Sequence, residues 1–142
     1  MGNVHATITL KNVKDMGFAS GGYIKEEDIR SVTVNALVDT GSMSLCITEE
    51  ICQKLGLGIL ETRSVHIANG ERVSCQVTEP VEILWKNRHT TCKSVVIPGA
   101  EIILLGVIPL EDMDLTVNPV SQKLVGAHGD EWLGMAVGLR EE

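Results

Sequence analysis

Residues 36–45, ALVDTGSMSL, carry an apolar run that ends on a carboxylate and then turns sharply. Asp39 follows three apolar residues, so the pattern predicts that its side chain leaves the end of a buried strand. An ionised carboxylate that is buried without a partner is costly in free energy, or its pKa rises until the group becomes neutral. The fold therefore has to provide a partner for Asp39.

The tripeptide Asp39-Thr40-Gly41 matches the active-site signature of aspartic proteases. Peptide hydrolysis without a metal or covalent intermediate needs one carboxylate that deprotonates water and a second that protonates the carbonyl oxygen. Two carboxyl groups about 3 Å apart cannot both ionise, so they share a proton and fill both roles. Thr40 is expected to hydrogen-bond across the site, Gly41 to let backbones approach closely, and Ser42 to donate a hydrogen bond to the carboxylate.

The tripeptide alone is weak support for this chemistry, because the same three residue types are common in solvent-exposed turns. The surrounding chain therefore matters, and it predicts one all-β domain over residues 1–142 with a minor helix. Alternating apolar residues predict strands over 4–11 and 29–39. The three glycines within residues 12–28 predict a loop or a wide hairpin.

The rest of the chain predicts a short helix and several hairpins. Residues 48–58, TEEICQKLGLG, begin with Thr48 as a predicted N-cap and reach a stop at Gly56. Asn69-Gly70 lies between two alternating segments, which is a strong hairpin signal. Further strands are predicted over 44–47, 79–85, 89–98, 101–106, 114–119 and 122–126, with a brief helix over 107–113.

Composition and charge exclude several classes of partner. The net charge of -7 disfavours phosphate backbones and anionic membranes, and four aromatic residues in 142 leave little for stacking on nucleic-acid bases. No apolar run is long enough to span a bilayer. The N-terminus lacks an export signal, so a cytoplasmic protein with four reduced, structural cysteines is expected.

The order of these segments resembles that of single-domain retropepsin-like aspartic proteases, especially the bacterial ones. The resemblance covers about residues 29–125 and implies a closed β-barrel with a short helix and an active site at a homodimer interface. It implies that a hairpin closes over the peptide as a flap, which would contain Ile67, Ala68, Asn69 and Gly70. It also implies a loop beneath the active site, which would contain Leu104, Leu105 and Gly106.

The chain departs from the family pattern directly after this loop. Family members often carry an aspartate two residues beyond the glycine, where this chain has Ile108 followed by Pro109. The start of the helix is therefore expected to be held by packing of this residue rather than by a hydrogen bond from it. Residues 126–142 extend beyond the resemblance and have no predicted role.

None of the other aspartates lies in a second apolar-Asp-Thr-Gly context. The predicted partner of Asp39 is therefore Asp39 of a second copy across a two-fold axis. The hypothesis is a homodimeric aspartic endopeptidase that acts on peptide or protein substrates, with Asp39 as the catalytic residue and no cofactor or metal.

Two other hypotheses belong to different functional classes. The same fold without catalysis would act as a peptide-binding module or a dimerisation scaffold, but a scaffold gains nothing from two buried like charges. A metal site built from His66, His89 and the cysteines is disfavoured, because their spacing does not match known metal motifs.

Overall fold

The computed structural model describes residues 3–67, 69–130 and 132. More of these residues lie in strands than in helices, and the strands are connected by short helices and turns. The strands are β1 (His5–Asn12), β2 (Ser31–Val38), β3 (Leu45–Ile47), β4 (Ile59–His66), β5 (Arg72–Thr78), β6 (Val81–Trp85), β7 (Arg88–Cys92), β8 (Ser94–Val96), β9 (Ile103–Leu105), β10 (Leu115–Asn118) and β11 (Lys123–Gly126). The helices are α1 (Val13–Ser20), α2 (Glu49–Leu55) and α3 (Val107–Asp112), with a 3₁₀ turn at Glu26–Asp28.

Nine strands form one sheet in the order β4-β5-β8-β3-β9-β2-β1-β6-β7, and β10 and β11 form a separate hairpin. Strand β9 lies between the two strands that flank the Asp-Thr-Gly turn. It runs parallel to β2 and antiparallel to β3. The turn from β2 into β3 is therefore held against the end of β9.

The expected closed barrel is not found, since within the described residues β4 and β7 each pair on one side only. Closure would require these two outer strands to pair with each other. The flank of β7 is instead covered by the chain after α3, because the buried side chain of Arg88 donates hydrogen bonds to the carbonyl oxygens of Met113 and Asp114 at 2.8 and 2.7 Å. The pairing leaves the sheet open.

The core is aliphatic, as the scarcity of aromatic residues requires. Strand β1 alternates buried and more exposed residues along its length. Its inward side chains pack against residues of the central strands and against the short helices. Fully buried members of the core include Ile8, Leu10, Leu45, Leu105 and Met113.

The structure has a helix, α1, where residues 12–28 predict a loop or a wide hairpin. The side chain of Asn12 caps it, because its oxygen accepts from the Asp15 backbone N–H at 3.0 Å. The amide nitrogen of Asn12 donates to the carbonyl of Leu55 at 2.7 Å, and the Arg30 guanidinium contacts the Asp15 carboxylate at 2.8 Å. Gly17 lowers the intrinsic helix propensity of this segment, and these contacts with distant residues outweigh it.

The predicted helix α2 and the predicted hairpin around Asn69-Gly70 are confirmed, whereas the strand predicted over 89–98 is divided into β7 and β8, which lie in different parts of the sheet. The Thr48 hydroxyl accepts from the Ile51 backbone N–H at 3.2 Å, and Gly56 ends the helix in the left-handed conformation at φ 64°. Strands β4 and β5 pair on either side of the Asn69-Gly70 turn. Among the described residues, no helix is long and apolar enough to cross a membrane.

Candidate active site

Asp39 lies directly after β2, at the point where the backbone is held from both sides. Its N–H donates to the carbonyl of Leu105 at 3.0 Å, and the N–H of Val38 donates to the carbonyl of Val4 at 2.8 Å. Its side chain is half-buried. The backbone N–H of Gly41 donates to Asp39 Oδ1 at 2.9 Å, and this hydrogen bond orients the carboxylate.

The Gly41 donor is not among the sequence-based predictions, although an aspartate two residues before a glycine is a known signal for this kind of turn. The predicted donor is Ser42, and the geometry differs. The Ser42 hydroxyl donates to the carbonyl of Ser44 at 3.4 Å and lies 3.7 Å from Cys46 Sγ. Ser42 therefore faces the chain after the turn, and the predicted hydrogen bond from Ser42 to Asp39 is not formed.

Thr40 is exposed, and its hydroxyl has no hydrogen-bond partner within the described part of the chain. Gly41 is also exposed. The tip of the turn therefore faces outward from a single copy of the chain. A contact from Thr40 across a two-fold axis needs a second copy and stays a prediction.

The segment Leu104-Leu105-Gly106 lies directly against this turn. Leu104 is paired with Leu37 on one side and Cys46 on the other. A Cβ at Gly106 would come within 2.4 Å of the carbonyl oxygen of Ser44, so this close approach of two backbones requires glycine.

Two backbone hydrogen bonds extend this contact into α3. Val107 N donates to Ser42 O at 2.8 Å, and Ile108 N donates to Met43 O at 3.0 Å. The side chain of Ile108 is 49% exposed, whereas Pro109 in the first turn is buried. The expectation of a packed residue at the helix start is therefore wrong for Ile108, whose backbone is hydrogen-bonded and whose side chain faces solvent.

Asp39 lines a cleft of about 590 Å³, a size typical of ligand sites. The β4–β5 hairpin forms one wall and the turn after β2 forms the floor, and residues of β3, β8 and β9 and the residue after β8 form the remainder. The cleft residues are Asp39, Gly41, Ser42, Met43, Ser44, Cys46, Val65, His66, Ile67, Val95, Ile97 and Leu104.

The structure brings only part of the predicted flap to this cleft. Ile67 lines it, whereas Asn69 and Gly70 form an exposed turn in which Gly70 has φ 87°. Ala68 lies outside the described residues. The hairpin residues that sequence reasoning missed are Val65 and His66, which precede Ile67 on β4.

Other cleft residues could not be found from the sequence. Val95 lines the cleft because β8 pairs in parallel with β3, which places it beside Cys46. These residues are almost fifty positions apart along the chain. No local signal in the sequence specifies such a pairing.

Nothing in the described residues resembles a metal centre or a reactive thiol. No group of three or more metal-ligating side chains is found among them. All four cysteines are free, and burial raises the pKa of each thiol, for Cys92 to about 12. These thiols therefore stay protonated and make poor nucleophiles or metal ligands.

Comparison with known proteins agrees with this geometry. The family model of gag-polyprotein putative aspartyl proteases matches residues 27–112, which include the Asp-Thr-Gly turn and the segment beneath it. A retropepsin-like aspartic protease from Rickettsia conorii is similar in structure, with a TM-score of 0.51 and 17% identity over 82% of this chain and 77% of that one. This likeness shows the retropepsin-like fold.

A second similar structure is EIAV protease complexed with the inhibitor HBY-793. It has a TM-score of 0.47 and 25% identity over 56% of this chain and 76% of that one. The search of curated proteins found no match.

Proposed function

This chain belongs to the family of gag-polyprotein putative aspartyl proteases, and from that premise we propose that it is a homodimeric aspartic endopeptidase. In this proposal Asp39 and Asp39 of a second copy form the catalytic pair. The substrate is a peptide or a protein segment in an extended conformation. The proposed location is the cytoplasm.

The observation that carries the proposal is the half-buried Asp39 carboxylate at the floor of a cleft large enough for a peptide. The backbone on either side of Asp39 is hydrogen-bonded to its neighbours, so the carboxylate is presented on a rigid support. The cleft walls are mostly apolar, which suits a site that excludes water around the scissile bond.

The mechanism needs two carboxyl groups, and the sequence supplies one per chain. With Asp39 of a second copy close by, the two groups share one proton. The ionised carboxyl takes a proton from water, and the protonated one donates to the carbonyl oxygen of the peptide. The Gly41 N–H, which already donates to Oδ1, orients the Asp39 carboxyl for this role.

The surface beside the turn supports the pairing of two copies. Thr40 is exposed at the tip of the turn. Met43 and Ile108 are 64% and 49% exposed, and they are joined through the backbone hydrogen bond between them. A second copy that approaches the turn would cover these apolar side chains, which favours association.

The direct test replaces Asp39 by asparagine. Asp39→Asn should keep the fold but reduce peptide cleavage by about 10²- to 10⁴-fold, because a neutral amide cannot deprotonate water. Asp28→Asn, which removes an exposed carboxylate of the 3₁₀ turn, is the matched control and should cleave like the wild type. Cleavage of a diverse peptide library, followed by mass spectrometry, is the measurement.

Full turnover by Asp39→Asn would overturn the proposed mechanism. If neither the wild type nor the variant cleaves but both bind peptides, the chain is the non-catalytic module of the alternative hypothesis. Binding of a hydroxyl-bearing transition-state mimic to the wild type gives a second readout, since such mimics bind proteases of this chemistry more tightly than substrates do.

A further inference from the structure

Strand β4 (Ile59–His66) lies at one edge of the nine-stranded sheet. It pairs with β5 on one side, and no strand of the described residues pairs with its other side. Seven of its eight residues are exposed, among them the apolar side chains of Ile59 and Leu60 at 42% and 52%. An edge strand of this length presents backbone groups with which another strand can pair.

The register with β5 shows which backbone groups are available at this edge. Directly after β4, Ile67 N donates to the carbonyl oxygen of Glu71 at 3.0 Å, so these two residues form a hydrogen-bonded pair. Hydrogen-bonded and non-hydrogen-bonded pairs alternate along an antiparallel ladder. The backbone N–H and C=O groups of Thr62 and Ser64 therefore point away from β5, toward the open edge.

The charges of β4 form a self-complementary pattern around Thr62. Glu61 and Arg63 stand on either side of it, and their side chains contact each other at 2.6 Å. If β4 of a second copy lies antiparallel with a two-fold axis at Thr62, each Glu61 comes opposite Arg63 of the other copy. These are non-hydrogen-bonded pairs, in which side chains lie closest, and opposite charges there stabilise the pairing.

The neighbouring two-fold registers lack this match of charges. An axis at Arg63 brings two guanidinium groups together, and an axis at Glu61 brings two carboxylates together, which destabilises the pairing. An axis at Ser64 sets Arg63 opposite Val65 and leaves each charge without an opposite charge across the axis. The charge pattern therefore favours the register at Thr62.

We propose that the outer edge of β4 binds the same edge of a second copy, as an antiparallel pair centred on Thr62. The inference goes beyond the proposed function, because β5 and β8 lie between β4 and the turn that carries Asp39. The backbone groups of Thr62 form hydrogen bonds at the axis, and the charged pairs flank them. The register shift between Ile59 and Glu61 confines the pairing to a short central segment, so the association depends on a high protein concentration.

The net charge of the chain gives the matched pairs their importance. At -7 two copies repel each other, so a contact between them has to bring opposite charges together. A contact at β4 also leaves the Asp39 turn available. Two-fold contacts at both surfaces would therefore build assemblies larger than a dimer.

Cross-linking tests the register directly. An axis at Thr62 places the Cα atoms of its two copies about 5.5 Å apart, which suits a disulfide. Thr62→Cys should therefore form a covalent dimer under mild oxidation with copper phenanthroline, seen on a non-reducing denaturing gel. Ser64→Cys is the matched control with the same native cysteines, and it should form little dimer, because its two copies would lie about 14 Å apart along the strands.

Charge reversal tests the complementarity. Arg63→Glu sets carboxylates opposite each other and Glu61→Arg sets guanidinium groups opposite each other, so each should weaken the self-association seen by sedimentation at least about tenfold. An equimolar mixture of the two variants should associate again, since each carboxylate then faces a guanidinium. Lys54→Glu is the matched control, because it makes the same change in net charge at an exposed ion pair on α2, and it should associate like the wild type.

The outcomes separate this contact from the proposed dimer at Asp39. With both contacts present, the charge-reversed variants should stop at a dimer that still cleaves, whereas the wild type should reach a larger mass. If the wild type forms only a dimer and the variants are monomers, β4 pairing stands and the Asp39 dimer is overturned. Equal cross-linking of the two cysteine variants, no cross-linking of either, or a mixture that associates no better than its components would overturn the β4 pairing.

Discussion

Gly106, directly after β9, lies in close backbone contact with the loop that follows Asp39. A Cβ built there lies 2.4 Å from Ser44 O, 2.6 Å from Ser42 O and 2.7 Å from Ser44 N. All three contacts are backbone atoms of the loop that follows Asp39, so none can move aside without displacing the site. Gly106→Ala should therefore lower the free energy of unfolding by about 1–3 kcal/mol and reduce cleavage, as measured by urea denaturation and peptide hydrolysis.

Gly17 provides the matched comparison for this substitution. It lies within α1, and an added Cβ there meets no atom within 4 Å. Gly17→Ala should stabilise the protein by about 0.5–1 kcal/mol through helix propensity, with unchanged activity. If Gly106→Ala were as stable and active as the wild type, the close packing of the turn on β9 would be wrong.

At the scale of elements, α1 is held in place by an ion pair between Asp15 and Arg30. The side-chain hydrogen bond from Arg30 holds the pKa of the buried Asp15 carboxyl below its ordinary value of 3.8, although burial opposes this shift. A lowered pKa means that folding favours the ionised form, so the stabilisation is complete above pH 3.8 and is lost as the pH falls through the folded-state value. Asp15→Asn should therefore be less stable than the wild type near neutrality, and the difference should shrink in strong acid.

Thermal unfolding followed by circular dichroism across the acid range checks this pH dependence. Glu50→Gln is the control, because it removes an exposed carboxylate that forms a 3.5 Å pair with Lys54 on α2. Exposed pairs contribute little to stability, so this variant should follow the wild type. A constant difference between Asp15→Asn and the wild type at every pH would show that the ion pair does not stabilise the fold.

Arg88 joins β7 to the chain that follows β11. Its guanidinium is 1% exposed and donates to the carbonyl oxygens of Met113, Asp114, Gly129 and Asp130. Arg88→Met should leave these carbonyls without their donor and cost more than about 2 kcal/mol of stability. Removal of residues 127–142 should also destabilise, because it strips a buried cation of part of its hydrogen bonding.

Urea denaturation of both variants measures these effects. Arg63→Met serves as the control, since Arg63 is exposed and surface substitutions usually change stability by less than about 0.5 kcal/mol. If the truncated chain were as stable as the full chain, residues 127–142 would contribute nothing to the free energy of unfolding. The predicted extension over 126–142 is described only at 126–130 and 132, and its last ten residues lie outside the described part.

At the scale of the whole molecule, activity should depend on association. One chain supplies one Asp39, so a monomer should be inactive however well it is folded. Specific activity should fall when the protein is diluted below its dimer dissociation constant, and excess Asp39→Asn should inhibit the wild type through mixed dimers. Sedimentation at the same concentrations gives the oligomeric state, and a monomer with full specific activity would contradict the proposal.

Features that depend on a few neighbouring residues can be predicted from the sequence. Thr48 and Gly56 delimit α2 because a cap and a stop act within one helical turn of their own backbone. Gly70 marks the β4–β5 turn, since only a positive φ suits that position. The Asp39-Thr40-Gly41 tripeptide likewise identified the candidate site, because its chemistry needs those residue types in that order.

Features that join distant parts of the chain depend on the tertiary structure. Helix α1 forms despite Gly17, because Arg30 and Leu55 supply partners that no local window contains. The sheet stays open, and Val95 reaches the cleft, through pairings between strands far apart in sequence. A local pattern specifies the conformation of its own backbone, whereas these contacts depend on the combined packing of many side chains, so they could not be deduced from one segment at a time.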